Sequence, residues 1–63
     1  MPITERIAVA RRAANLTQAQ AAHEIGVTPN TWARWERGEV GLKERRIREV
    51  ARVLGIKPGK LLS

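Results

Sequence analysis

The chain of 63 residues contains no cysteine and no aspartate, and its only serine is Ser63. Without cysteine it can form neither a disulfide nor a thiolate metal site. The single histidine, His23, cannot build a zinc site alone, and we expect it to be an exposed helix residue. These absences leave few groups for nucleophilic or acid–base chemistry, so we expect no enzymatic activity, no metal and no cofactor.

Aromatic residues and long apolar runs are also scarce. There is no Phe or Tyr, so Trp32 and Trp35 are the only aromatic side chains. Packing in the core is a better interpretation of this pair than stacking on nucleic-acid bases, because nothing else can fill the middle of the domain. No apolar run approaches the ~20 residues of a membrane span. The N-terminal stretch is interrupted by charged residues and does not resemble the apolar region of a signal peptide.

Positive charge is abundant: 12 Lys and Arg residues face 6 acids, all of them Glu, and the formal net charge is +6. A small domain this basic attracts polyanions. Charge alone leaves nucleic acid, an acidic protein and a membrane surface open as partners. A chain of this length is expected to form one domain, residues 1–63. On folding it buries only about 60% of the surface that the unfolded chain exposes, so its core is small.

Helical periodicity and capping residues predict two helices in the first half of the chain. The first spans about Thr4–Ala14, with Thr4 as its N-cap. The second opens with the capping box TQAQ, residues 17–20, and ends at Gly26. The apolar positions of these helices are Ile7, Ala8, Val9, Ala10, Ala14, Ala19, Ala21, Ala22 and Ile25.

Two further helices and a short turn are predicted in the second half. The third helix has Thr28 as N-cap, Pro29 in its first position and Gly38 as its stop. The fourth spans about Lys43–Leu54 and ends at Gly55. Its inward positions are expected to be Ile47, Val50, Ala51, Val53 and Leu54. A last short turn begins at Pro58 and ends in Leu61 and Leu62.

The connection between the second and third helices is typical of a helix-turn-helix, because it is only IGVT, residues 25–28, and contains a Gly. Two helices that cross so closely need a small residue at the crossing, and Ala22 lies there. Apolar residues must close the angle between them, and these are Ala21, Ile25, Val27, Trp32 and Trp35. The spacing therefore predicts a helix-turn-helix over about residues 17–37.

Residues 16–38, LTQAQAAHEIGVTPNTWARWERG, resemble the helix-turn-helix family of the lambda repressor and Cro, bacterial and phage regulators of the XRE type. The resemblance implies an all-α, compact five-helix DNA-binding domain in a cytoplasmic, nucleoid-associated protein. It also implies an ion pair between Arg11 and Glu36. The chain departs from the family pattern at Lys60, where an aromatic residue is usual. It also carries Glu39 and Val40 in a loop that is often basic.

In such motifs the third helix lies in the major groove, and its first residues meet the edges of the bases. With both Trp side chains facing inward, Asn30 and Arg34 share the outer face because they are four residues apart. Asn pairs bidentately with adenine and Arg with guanine. The predicted base-reading residues are Pro29, Asn30, Thr31, Ala33 and Arg34.

Contacts to the DNA backbone are expected on both sides of this reading face. Gln18 lies at a helix N-terminus, where free amides and the helix dipole favour a phosphate. The predicted backbone-contacting residues are Thr17, Gln18, Thr28, Arg37, Lys43, Arg45 and Arg46. Arg48 and Arg52 are expected to belong to an ordinary solvated helix face.

The favoured function is sequence-specific binding of double-stranded DNA by a transcriptional regulator, a repressor. It would bind a palindromic operator as a homodimer, with weak or absent dimerisation in free solution. The alternative is a protein-interaction or bridging module, such as an antitoxin, with only non-specific affinity for DNA. No membrane or small-molecule partner is expected. The sequence leaves open the operator sequence and the choice between repressor and activator.

Overall fold

The computed structural model describes the backbone of residues 3–39 and 41–62 and the side chains of residues 6–39 and 41–61. Within these ranges every regular element is an α-helix, and none is long and apolar enough to cross a membrane. The five helices are α1 (Ile3–Ala13), α2 (Gln18–Ile25), α3 (Pro29–Arg37), α4 (Glu44–Leu54) and α5 (Pro58–Leu62). The predicted all-α, five-helix fold is confirmed.

The starts of α2 and α3 are capped by Thr hydroxyls. Thr17 Oγ1 accepts from the backbone N–H of Gln20 at 3.0 Å, and the Gln20 side chain accepts from the Thr17 N–H at 2.8 Å. Thr28 Oγ1 accepts from the N–H of Thr31 at 3.2 Å, and Pro29 occupies the first position of α3. Neither helix has an acidic residue in its first turn. Both helices therefore start where the capping pattern predicts, and both starts are uncharged.

Each of the first four helices ends in the same hydrogen-bonded turn, the Schellman motif. The residues with positive φ in these turns are Asn15, Gly26, Gly38 and Gly55. The residues that follow them are Leu16, Val27, Glu39 and Ile56, and each donates its N–H to the carbonyl five positions earlier at 2.9 to 3.2 Å. Leu16, Val27 and Ile56 pack against the core, whereas Glu39 is exposed. Of these four turns, the one after α3 therefore has a charged residue directly after the residue with positive φ, and the other three have an apolar residue there.

The predicted bounds of α1 and α4 differ slightly from the structure. Because α1 begins at Ile3, Thr4 lies in its first turn, and the prediction that Thr4 is the N-cap is wrong. The local sequence offers no capping box there, since Ile7 occupies the position that Glu or Gln would need. Lys43 is the N-cap of α4 and makes no side-chain capping bond.

All five helices contribute to the core. Its buried side chains are Ile7, Ala21, Ala22, Trp32, Trp35, Ile47, Val50, Ala51, Leu54 and Leu61. Trp32 is the largest of the fully buried side chains in the described part of the chain. Ala21 and Ala22 are small, and this allows α2 and α3 to approach closely at the crossing. The core therefore holds the geometry of the helix-turn-helix.

Five predicted apolar positions belong neither to this core nor to the side chains packed against it. Val9 is 51% exposed and Ala19 is exposed, whereas Ala8, Ala14 and Val53 are half-buried. Val9 follows buried Ile7 by two residues and Ala19 precedes buried Ala21 by two, which turns each side chain about 200° around the helix from its buried neighbour. The prediction that Val9 and Ala19 face the core is therefore wrong.

Candidate nucleic-acid interface

The two faces of α3 are sharply different. Trp32 is 0% and Trp35 5% exposed, and their ring centroids lie 5.6 Å apart with planes tilted by 56°. Asn30 and Arg34 are exposed on the other side of the helix. Of the remaining predicted base-reading residues, Pro29 is exposed and Thr31 and Ala33 are half-buried. The helix can therefore present polar groups outward while its orientation is fixed from within.

Glu36 connects α3 to both preceding helices. Its carboxylate accepts from Arg11 Nε at 2.6 Å, from Gln18 Nε2 at 2.9 Å and from Trp32 Nε1 at 2.5 Å. The Arg11 and Glu36 side chains are only 11% and 8% exposed. A charge taken from water to this degree is stable only when it is paired and hydrogen-bonded. The pair that the family resemblance implies is thus one part of a larger polar junction.

The protonation of Glu36 reflects these contacts. Burial by itself raises the pKa of the Glu36 carboxyl, but the hydrogen bonds from Arg11, Gln18 and Trp32 and the charge of Arg11 together lower it below the ordinary value of 4.5. Arg11 also donates through Nη1 to the carbonyl of Leu16 at 2.9 Å, just after the end of α1. Charge and hydrogen bonding therefore fix α1, α2 and α3 around one ionised carboxylate.

The interaction between Gln18 and Glu36 was not anticipated from the sequence. Gln18 is predicted to contact phosphate, whereas its side-chain amide donates to Glu36 inside the domain. At the start of α2 the backbone N–H of Gln20 is capped by Thr17 Oγ1, whereas those of Gln18 and Ala19 have no carbonyl to bind within the helix, as at every helix start. Arg11 already donates to both carboxylate oxygens of Glu36, so the resemblance alone gives no signal for Gln18 as a further partner.

The outward arginines of α3 share an acidic neighbour. The Nε of Arg37 donates to Glu39, and the Nε of Arg34 lies 3.9 Å from the Glu39 carboxylate. All three side chains are about half exposed, at 54%, 48% and 49% for Arg37, Arg34 and Glu39. The hydrogen bond with Glu39 raises the pKa of Arg37, and the hydrogen bond from Arg37 lowers the pKa of Glu39. Glu39 is visible in the sequence as a departure from the family pattern, but its pairing with the two arginines is not.

The basic residues at the start of α4 differ in their surroundings. Arg46 donates to Glu49 at 3.0 Å, and its guanidinium carbon lies 5.8 Å from the ring centre of Trp35. Arg45 is 87% exposed and lies 3.9 Å from Glu49, and Lys43 is exposed. Arg48 pairs with Glu44 at 2.8 Å on the outer face of the helix. Arg46 therefore has a packing role in addition to any contact with a ligand, whereas Lys43 and Arg45 are the more accessible cations.

Helices α2 and α3 are short and joined by a tight turn. Indole rings lie inside the angle between them and polar side chains lie outside it. This arrangement defines a helix-turn-helix domain. Residues 3–62 match the protein family described as the helix-turn-helix domain, and the chain belongs to that family. This match confirms the class that the spacing and the resemblance predict.

One curated relative is the cryptic phage CTXphi transcriptional repressor RstR of Vibrio cholerae serotype O1, which is 49% identical over 39 residues. The matched segment is 62% of this chain and 35% of the repressor, so the chain spans about a third of the length of this relative. No solved structure matches the chain significantly.

Proposed function

We propose that this chain is the DNA-binding domain of a transcriptional regulator, a repressor, which reads double-stranded DNA with the outer face of α3. The observation that carries the proposal is the division of α3 into two faces. Trp32 and Trp35 are buried, and Asn30 and Arg34 are exposed on the opposite side. The net charge of +6 and the similarity to a phage repressor support it.

In this proposal α3 enters the major groove with its N-terminal half nearest to the bases. Asn30 pairs with adenine and Arg34 with guanine, and each such bidentate pair discriminates by about 1–3 kcal/mol. Pro29, Thr31 and Ala33 offer apolar contact to thymine methyl groups. The polar junction at Glu36 has no direct part in this reading, but it fixes the direction in which α3 points.

Contacts to phosphates hold the domain in register on the duplex and specify no sequence. We assign these contacts to groups flanking α3 on both sides. The assigned residues are Thr17, Gln18, Thr28, Arg37, Lys43, Arg45 and Arg46. The backbone N–H of Gln18 serves in place of its side chain, which is bonded to Glu36.

Two copies are proposed to bind one palindromic operator. Half-sites of helix-turn-helix dimers lie about 34–36 Å apart, one turn of the duplex. The domain measures 26 × 23 × 19 Å between Cα atoms, so two copies fit side by side at that spacing. Residues 1–63 would act as one domain, with residues 17–37 as its reading unit.

Selection of binding sites from a random duplex library tests this function. We expect enrichment of one palindrome whose half-sites are about one helical turn apart. The selected duplex should then resist competition by excess random-sequence DNA. If random DNA displaces it as well as unlabelled selected DNA does, the domain is not a specific reader. That result would favour a protein-interaction module with non-specific affinity for DNA.

A further inference from the structure

The turn after α3 differs from the turns after α1, α2 and α4 in a way that bears on DNA binding. In a Schellman motif the residue after the positive-φ position commonly makes an apolar contact with the last turn of the helix. Leu16, Val27 and Ile56 follow this rule and pack against the core. Glu39 occupies the same position after α3, and the residue five places earlier is Arg34. A charged pair thus replaces an apolar contact at this one helix end.

The backbone determines where the Glu39 carboxylate lies. Gly38 has φ of 76°, a conformation that costs Gly little, and the N–H of Glu39 is then bonded to the carbonyl of Arg34 at 3.0 Å. These features hold residue 39 against the last turn of α3. From there its carboxylate accepts from Arg37 Nε and lies 3.9 Å from Arg34 Nε. In the free domain, one acid therefore faces both outward cations of α3.

We propose that Glu39 competes with DNA for Arg34 and Arg37 and thereby lowers the affinity of the domain for DNA. The proposal rests on the function proposed above, in which Arg34 reads guanine and Arg37 contacts a phosphate. To bind DNA, both guanidinium groups must leave Glu39 or carry its negative charge towards the phosphates.

The competition acts on every sequence, because both arginines give up Glu39 whichever DNA they meet. On the correct site, Arg34 exchanges Glu39 for a bidentate contact with guanine. On other sequences the arginines exchange Glu39 for phosphates. Glu39 therefore weakens both kinds of binding, although each exposed pair is individually weak.

The test compares Glu39→Gln with Glu24→Gln, a matched control. Glu24 is exposed on α2 and forms no ion pair within the described part of the chain, and both changes remove one negative charge. Dissociation constants are measured for the selected duplex and for a random-sequence duplex. Relative to Glu24→Gln, we expect Glu39→Gln to bind the random duplex about three- to tenfold more tightly, from the modest strength of two exposed pairs. We expect a similar gain on the selected duplex, because both arginines leave Glu39 there as well.

Equal behaviour of the two variants on both duplexes would overturn the proposal. A gain on only one of the two duplexes would contradict a competition that acts on every sequence. A wild-type domain without sequence preference would refute the proposed function instead, and the random duplex would still show whether Glu39 competes for the arginines.

Exchange of the Arg37 Nε–H, followed by NMR in the free domain, provides an independent readout. We expect slower exchange in the wild type than in Glu39→Gln, and equal rates would refute the pairing itself. Because the wild type and both variants are compared without DNA, this measurement is separate from the proposed function.

Discussion

Replacing Glu36 with Gln tests whether the polar junction holds the helices together. The change preserves the shape of the side chain but removes its charge and one of its two acceptor oxygens. An amide NH₂ then faces a donor, Arg11 or Trp32, and the nearly buried Arg11 guanidinium loses its counter-charge. Removing one partner of a buried pair typically costs about 3–5 kcal/mol. The amide oxygen still accepts a hydrogen bond, so we expect a loss of about 2–4 kcal/mol.

That loss is large for a domain of this size. At about 0.05–0.15 kcal/mol per residue, the whole chain has a free energy of unfolding of about 3–9 kcal/mol. The expected decrease in Tm is about 10–25 °C. Urea unfolding followed by tryptophan fluorescence measures the loss in the free energy of unfolding, because both indoles lie in the core. Glu24→Gln, which changes an exposed carboxylate, serves as the control. A decrease below about 0.5 kcal/mol, the size expected of an ordinary surface substitution, would refute the junction as a major source of stability.

The other predictions concern pH, base reading and one turn. The pKa of Glu36 is lowered in the folded state, so the unfolded chain binds more protons in acid. The stabilisation by Glu36 is therefore present above pH 4.5 and decreases as pH falls through the folded pKa. Urea midpoints across this range should show the decrease, and a Glu36→Gln domain should show a smaller one, because Glu39 keeps its own lowered pKa. Asn30→Ala and Arg34→Ala should relax the base preference found in site selection. Arg37→Ala should weaken the binding of all sequences alike and reduce the slope of log K against log salt concentration by about 0.9. An unchanged base preference in both Asn30→Ala and Arg34→Ala would contradict their assignment as base-reading residues. Gly26→Ala should lower the free energy of unfolding by about 1–2 kcal/mol. The reason is the φ of 80° at residue 26, which strains any residue with a Cβ even though the space around Gly26 is empty. An unchanged urea midpoint would contradict this prediction.

The sequence is sufficient to predict those features that depend on hydrogen bonds between neighbouring residues. The starts and stops of α2 and α3 follow from Thr17, Thr28, Gly26 and Gly38, because each signal acts through hydrogen bonds to its own neighbouring backbone. Thr4 is a weaker case, since it has the right residue type without the reciprocal partner of a capping box.

The sequence is not sufficient to predict contacts that depend on how helices distant in the chain pack together. The exposure of Val9 and Val53 depends on which helix faces cover each other. The choice of Gln18 between a phosphate and Glu36 depends on the angle between α2 and α3. The pairing of Glu39 with Arg34 and Arg37 required the geometry of the turn at Gly38, although the five-residue spacing was readable.

The uncharged caps of α2 and α3 have a consequence for engineering this domain. A carboxylate at position 17 or 28 would cap its helix as well as Thr does and would add a favourable interaction with the helix dipole, about 0.3–1 kcal/mol. In the DNA complex proposed here, the same carboxylate would face phosphates. Heat-based selection for a more robust domain, carried out without DNA, would therefore tend to enrich Asp at these positions. The variants it recovered would be better folded and, in the function proposed here, would bind DNA less tightly.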